Sequence, residues 1–328
     1  MRVPAPFSHP ALLYRGEPEY LAGTLPFVRS GLDAGEPVAI AVPGRRLELL
    51  RARLGAAAEH VRFVNMAMAG RNPGWIIPGV LRDFAEAHPG RRVRIIGEPI
   101  WHGRSAAEYP ACVQHEALIN LAFTGRAATI LCPYDAEELD RRALDDAART
   151  HPTIIERGVE EPSPGYDPEK AIQVYNAPGP EPVDVAALAF DAGVLSEVRA
   201  FAAGHAGRRG IVGDRLLDLE LTVNELAANS IVHGGGRGTV RIWVENGHVV
   251  CEIADSGHIT DPLAGRLPVR PDIPGGRGLL LINQIADLVR TCTTVGGTRT
   301  RVYFAVQGGF ERQRDFETGP DPERDGGP

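Results

Sequence analysis

The sequence predicts two folded units. The first is an α/β domain with a mostly parallel sheet sandwiched by helices, and the second is an α+β domain with an antiparallel or mixed sheet. Three observations carry this expectation. Short apolar runs alternate with amphipathic segments over residues 1–157, the pattern of a parallel sheet buried under helices on both faces. A Pro-rich stretch follows at 158–184. Beyond it, a long amphipathic helix runs into a sequence with hairpin alternation and turn residues. With 328 residues the chain is long enough to bury two cores.

In the first unit, VAIAVP (38–43), VRFVNM (61–66), VRIIGEP (93–99) and ATILCPYD (128–135) read as buried strands. WIIPGVLRDFAEAH and PACVQHEALINLAF, which lie between them, read as helices. Ligands of such sheets gather at the carboxyl ends of the strands. Those ends carry Asn65, Glu98 and Asp135, with Trp101 just beyond, so Glu98, Trp101 and Asp135 are the candidate ligand contacts. The ordinary alternatives are that Glu98 caps a helix and that His9 is a satisfied, partly buried histidine.

Residues 159–183, VEEPSPGYDPEKAIQVYNAPGPEPV, read as a partly ordered linker, because repeated prolines disfavour helix and central strand alike. The stretch 307–328 is rich in Gly, Pro, Asp and Glu and is expected to be a disordered tail.

The chain is 43% hydrophobic and 23% charged, with a net charge of −7. That balance argues against a nucleic-acid surface, which needs clustered positive charge. No run approaches the roughly 20 apolar residues that span a bilayer, and MRVPAPFSHPALLYRG has no apolar secretion segment. A cytoplasmic protein without a membrane partner is expected. Cys112, Cys132, Cys251 and Cys292 form no C-x-x-C pair, so buried free thiols are expected rather than a zinc site or disulfides. Lys170 is the only lysine and follows Asp-Pro-Glu, which excludes a phosphate loop built on lysine.

In the second unit, GDRLLDLELTVNELAANSIVHGGG begins at Gly213, with Leu216, Leu219, Val223, Leu226 and Ala227 on one side. Asp214 stands where an N-cap is expected and the glycines from Gly234 end the helix. The other side presents Asp218, Thr222, Glu225 and Asn229. Glu225 and Asn229, four residues apart, lie one turn from each other and can converge on one object. TVRIWVE and HVVCEIAD flank Asn246-Gly247, the residues of a type I′ turn. Asp255 then stands at the strand end nearest the helix, where a carboxylate would accept from an exocyclic amine such as that of adenine. After a Pro-rich loop, Gly275, Gly276 and Gly278 precede a helix with Leu279, Ile282, Ile285 and Val289 at helical spacing. Glycines at a helix start let backbone N–H groups approach phosphates. VRTCTTV, Gly296-Gly297 and TRTRVYFAV read as a second hairpin.

Residues 7 to about 155 resemble the MEDS sensory domain, a ligand-sensing relative of the RecA-like fold that lacks the phosphate loop. SHPALLY, RIIGEPIW and PYDAEELDRRALDDAARTHP carry this resemblance. Residues 185–306 resemble the GHKL (Bergerat) ATPase superfamily through the order Glu-x-x-x-Asn, Asp-x-Gly, Gly-x-Gly. They resemble the anti-sigma-factor serine/threonine kinases most, through ELAANSIVHGGG and GGRGLLLINQIAD. The resemblance implies a two-layer α/β sandwich that binds ATP and magnesium. Asn229 would hold Mg2+ and Glu225 would act as the catalytic base. Asp255 would read adenine, with Gly257 admitting the base. Gly275, Gly276, Arg277, Gly278 and Leu279 would line the phosphates, and Thr298 would contact the base through water, with Thr300 as its substitute. His233, which closes the first helix, could equally be structural and is not taken as a catalyst.

Together these resemblances imply an ATP-binding regulator that senses a small molecule or protein through its first domain. It would bind or phosphorylate a sigma factor or an anti-anti-sigma protein, and could pair as a homodimer. Two alternatives stand beside it. A sensor histidine kinase would need a phosphoacceptor histidine before the ATP domain, and 158–184 contain none. A non-catalytic module would use ATP only to sequester a sigma factor.

Overall fold

The structure, a computed structural model, describes residues 7–268 and 276–306. The expected tail and Gly275 lie outside the described residues. The first unit holds a sheet in the order β3-β2-β4-β5-β1-β6-β7. Its strands are β1 (Pro10–Tyr14), β2 (Val38–Val42), β3 (Val61–Asn65), β4 (Val93–Gly97), β5 (Ala128–Asp135), β6 (Thr153–Glu156) and β7 (Val159–Pro162). All pairings are parallel except β6 with β7. Helices α1 (Gly16–Asp33), α2 (Gly44–Leu54), α3 (Met66–Ala69), α4 (Pro73–Ile76), α5 (Asp83–Glu86), α6 (Tyr109–Ala122) and α7 (Arg141–Thr150) surround it. Strand β2 is buried at every residue, and its side chains alternate between two cores. Val38, Ile40 and Val42 join Val28 and Leu50 in one, whereas Ala39 and Ala41 join Ile95, Ile130 and Val113 in the other. A sheet with apolar side chains on both faces is stable only between two layers.

The stretch expected to be a partly ordered linker belongs largely to this unit. Pro162 ends β7, an edge strand, where a missing N–H is tolerated. Helix α8 (Pro168–Tyr175) starts with Asp167 accepting from the Lys170 N–H at 2.9 Å and with Pro168 in the first turn, a position that needs no N–H. Its Tyr175 is buried and donates its hydroxyl to Asp146 of α7. Proline thus places these elements rather than preventing them.

The second unit pairs β11-β12-β10-β9-β8 antiparallel throughout. The strands are β8 (Ala186–Asp191), β9 (Arg237–Glu245), β10 (His248–Asp255), β11 (Leu288–Thr294) and β12 (Gly297–Ala305). Asn246 and Gly247 turn β9 into β10 at φ 46° and 75°, as the expected type I′ turn requires. Helices α9 (Leu195–Gly207), α10 (Asp214–His233) and α11 (Gly278–Ile285) cover one face. Leu219, Val223, Leu226 and Ala227 of α10 pack there against Val240, Ile242, Ile253 and Phe304. Gly213, at φ 58°, is the N-cap rather than Asp214, which lies in the first turn; there its carboxylate faces the positive helix end.

The opposite face is docked on the first unit. Trp243, Val250, Leu288 and Tyr303 form a core with Ala111 of α6, and Ala107 and Val185 pack against it. A charged trio borders this contact. Glu252, 1% exposed, accepts from Arg301 Nε at 2.7 Å and from Arg241 Nη1 at 3.0 Å. Arg241 and Arg299 also reach Glu181 ahead of β8. Among the described residues no helix is long and apolar enough to cross a membrane.

Replacing Glu252 strands Arg301, itself 4% exposed, without its carboxylate. Glu252→Gln is expected to destabilise the protein by about 3 kcal/mol, read as a lower urea midpoint.

Candidate functional site

The apolar stripe of α10 fixes the helix on the sheet and so turns Glu225 and Asn229, both half-buried, toward the start of α11. A methyl group on Gly278 would lie 2.6 Å from Glu225 Oε2 and 3.7 Å from Asn229 Nδ2. The carboxylate and the amide therefore occupy the space beside the α11 N-terminus, and glycine is what allows the approach. Gly276 has φ 74°, a left-handed conformation that favours glycine. Arg277 directly precedes α11. Leu279 packs on the domain core and against Gly265, where a methyl group would sit 2.5 Å from Leu279 Cβ.

Asp255 stands at the end of β10, paired across the ladder with Thr298. Its Oδ2 accepts from Ser230 Oγ at 2.6 Å and its Oδ1 from the Gly257 N–H at 2.8 Å. The carboxylate is thereby fixed to α10 at the residue next to Asn229. Thr298 Oγ1 donates to the Gly257 carbonyl at 2.8 Å. Thr293 Oγ1, 2.9 Å away, must then donate to Thr298, and it accepts from the Ile259 N–H at 3.3 Å. This relay anchors the segment after β10. The backbone is tight here. A methyl on Gly257 would meet the His233 carbonyl at 2.5 Å, one on Gly234 would meet Asp255 Cγ at 2.4 Å, and one on Gly297 the Asp255 carbonyl at 2.0 Å. Thr300 faces Thr291 at 3.3 Å, two pairs further along the ladder. His233 supplies the last turn of α10.

The result is a carboxylate held by two donors at one end and a Glu-Asn pair under a glycine-rich helix start at the other. The first arrangement suits an amine-bearing ring. The second suits an anion and its cation. Ser230 and Thr293, which orient Asp255 and Thr298, were not singled out from sequence. Ser230 could have been, since it lies next to Asn229 on the helix that ends against Asp255.

In the first unit, β2 connects outward to β3 and β4 connects the other way to β5, so the chain reverses between β2 and β4. Ligand crevices form at such reversals. Arg46, from the first turn of α2, stands there. Its guanidinium pairs with the fully buried Glu98 after β4 and with Asp135 Oδ2 at 3.0 Å, and lies over the rings of Tyr14 and Tyr20. Burial pushes both phenols up, and Arg46 opposes the shift. Glu98 and Asp135 are thus brought together by an arginine that sequence reasoning missed, although Pro43-Gly44-Arg45-Arg46 directly follows β2. Trp101 is elsewhere, stacked under Arg104 at 3.9 Å and packed on the core. Asn65 caps α3.

The two units also meet at the glycine-rich helix. Asn72, just before α4, donates to the Asn283 carbonyl at 2.8 Å and accepts at 3.3 Å from the N–H of Val289, the second residue of β11. Arg71 pairs with Asp287 at 2.5 Å, and Leu263 and Leu267, ahead of α11, pack on the core of the first unit.

Comparison with known families agrees with this division. Residues 8–152 match the MEDS family, described as the MEthanogen/methylotroph, DcmR Sensory domain. Residues 188–304 match the histidine kinase-like ATPase domain. The chain joins a MEDS domain to a histidine kinase-like ATPase domain. No curated protein matches it. The ATPase domain implies ATP binding, and its joining to a MEDS sensory domain makes the protein an ATP-binding signalling regulator.

Because backbone, not a flexible side chain, blocks a methyl group at Gly257, Gly257→Ala is expected to destabilise the ATPase domain by about 1–3 kcal/mol. Thermal unfolding with and without ATP reads this, and the variant should also lose most of the ATP-induced stabilisation.

Proposed function

We propose that this protein is an ATP-dependent regulator of the anti-sigma-factor kinase type, whose MEDS domain sets the state of the ATP lid and whose ATPase domain phosphorylates a serine or threonine of a partner. One observation carries the reading. The segments that would close over the nucleotide are held by the MEDS domain, through Asn72 with Asn283 and through Leu263 and Leu267 in the MEDS core. A ligand at Arg46, Glu98 and Asp135 could therefore alter the lid if it binds two lid positions unequally.

Asn229 would hold magnesium through its amide oxygen, since its amide and the Glu225 carboxylate reach the start of α11 together at Gly278. When bound, the ion neutralises phosphate charge. Glu225, one turn away, would orient or deprotonate the attacking hydroxyl. Asp255, held by Ser230 and Gly257, would accept from the adenine amine, and guanine would present a carbonyl there instead. Gly276, Arg277, Gly278 and Leu279 would line the phosphates, and Thr298 would support the base. The partner would be a sigma factor or an anti-anti-sigma protein.

The segment between the domains favours this reading over a histidine kinase. It carries no histidine and folds back as β7 and α8 on the MEDS domain instead of forming a dimerising helical hairpin. ATP binding is expected to weaken about 10- to 100-fold in Asp255→Asn, the loss of a charged hydrogen bond, measured by titration calorimetry. Glu225→Ala should keep ATP binding and lower transfer by about 10²–10⁴-fold, with the label on the partner stable to acid. Acid-labile label would favour a histidine kinase, and full partner sequestration by Glu225→Ala without any transfer in the wild type would favour a non-catalytic module.

A further inference from the structure

Besides the group around Arg46, the MEDS domain encloses a second polar cluster. His9 stands just before β1, Cys132 in the middle of β5, Glu116 in α6 and His151 between α7 and β6. All four are fully buried, and one ligand atom from each lies within 4.8 Å of all the others. Glu116 Oε2 is 3.2 Å from His9 Nε2, 3.5 Å from His151 Nε2 and 3.4 Å from Cys132 Sγ, and His9 Nε2 is 3.3 Å from that sulfur.

The surrounding hydrogen bonds settle which nitrogens carry protons. Asn120 Nδ2 donates to the Thr150 and Ala117 carbonyls, so Asn120 Oδ1 faces His9 Nδ1, 3.2 Å away, as an acceptor. His9 Nδ1 must be protonated. His151 Nδ1 lies 2.9 Å from the Ala147 carbonyl and 3.0 Å from Thr150 Oγ1, whose own proton goes to the Asp146 carbonyl, so this nitrogen is protonated for the same reason. In the neutral rings both Nε2 atoms then turn bare lone pairs toward one carboxylate oxygen. His151 Nε2 is buried and makes no hydrogen bond among the described residues. Tyr134 donates to Glu116 Oε1 at 3.2 Å and fixes the carboxylate. Two imidazole lone pairs, an oxygen and a sulfur facing inward, each oriented from behind, make the donor set of a transition-metal centre. Bonds of about 2.0–2.3 Å to a tetrahedral ion place ligand atoms about 3.3–3.8 Å apart, close to the four separations just given, and every pair lies within 4.8 Å.

We propose that His9, Glu116, Cys132 and His151 form a closed site for a divalent transition-metal ion of the zinc class. Binding releases the Cys132 thiol proton to solvent and leaves a thiolate on the metal. Four protein ligands fill a tetrahedral shell, so the site holds structure and has no open position for a reaction. The ion would pin α6 to β1, β5 and the α7–β6 corner. Because α6 also carries Ala111, which packs on the ATPase sheet, occupancy would set how that sheet is seated.

The test uses the tag-free chain of 328 residues. Metal content is measured on protein from ordinary medium, and absorption spectra on protein produced in cobalt-supplemented minimal medium. The expected result is one ion per chain, a tetrahedral cobalt spectrum and a thiolate-to-cobalt band. The band should vanish in Cys132→Ala, and in His151→Gln affinity should fall by more than about tenfold. Should the variants not fold, the wild-type spectrum decides, since Cys112, Cys251 and Cys292 stand outside the cluster. Protein that acquires neither zinc nor cobalt, cobalt bound without a thiolate band, or a band that survives Cys132→Ala would overturn the assignment.

Discussion

The seating of α10 is the constraint on which the ATPase domain depends. Its apolar stripe can meet Val240, Ile242 and Phe304 in only one rotation. That rotation places Glu225, Asn229 and Ser230 on the rim beside β10 and α11. From this one packing decision follow the bond from Ser230 to Asp255, the contact of Glu225 with Gly278 and the close passage of Gly234 past Asp255. Glycines at 234, 257, 278 and 297 are consequences of the same constraint, because a side chain at any of them would strike a neighbouring element.

Docking extends the argument beyond one domain. A two-layer sandwich leaves one face of its sheet bare, and a bare apolar face must be covered. Here the cover is α6 of the MEDS domain, and the rim is closed by Glu252, Arg301, Arg241 and Glu181. With the sheet fixed from behind, the MEDS loop at Arg71 and Asn72 reaches α11 and Asp287 from the side. Helix α11 is thus bonded to the sensory half, and any change in that half that moves Asn72 acts on α11 directly.

Much of this was legible in residues 185–306, because the signals there are local. Glu225 and Asn229 share a helix face, Asn246-Gly247 encodes its turn, and Asp255 follows at the strand end. The first domain was harder to read. Strand β1 is short and led by Pro10, with no alternation to mark it, and β7 and α8 were hidden by prolines that serve as an edge and a helix start. The partners of Glu98 were invisible for a different reason. Arg46 meets Glu98 and Asp135 only because the sheet order sets β2 beside β4 and β5 beyond it, and strand order is a non-local property. Likewise Cys132 shows no paired spacing in sequence, yet three other donors reach it through the fold.

Helix α6 connects these separate features. One side carries Glu116 into the buried His-Cys cluster, and another carries Ala111 into the core shared with Trp243 and Tyr303. Such a helix cannot tilt to relieve strain at one side without disturbing the other, because close-packed interfaces shift between discrete arrangements rather than deforming smoothly. Asn120, which orients His9, and Gln114, which faces the linker side of the ATPase sheet, lie on the same helix. The domain interface and the interior of the sensory sheet are therefore packed on two sides of one helix. A signal that reorders the interior has a short mechanical route to the nucleotide domain.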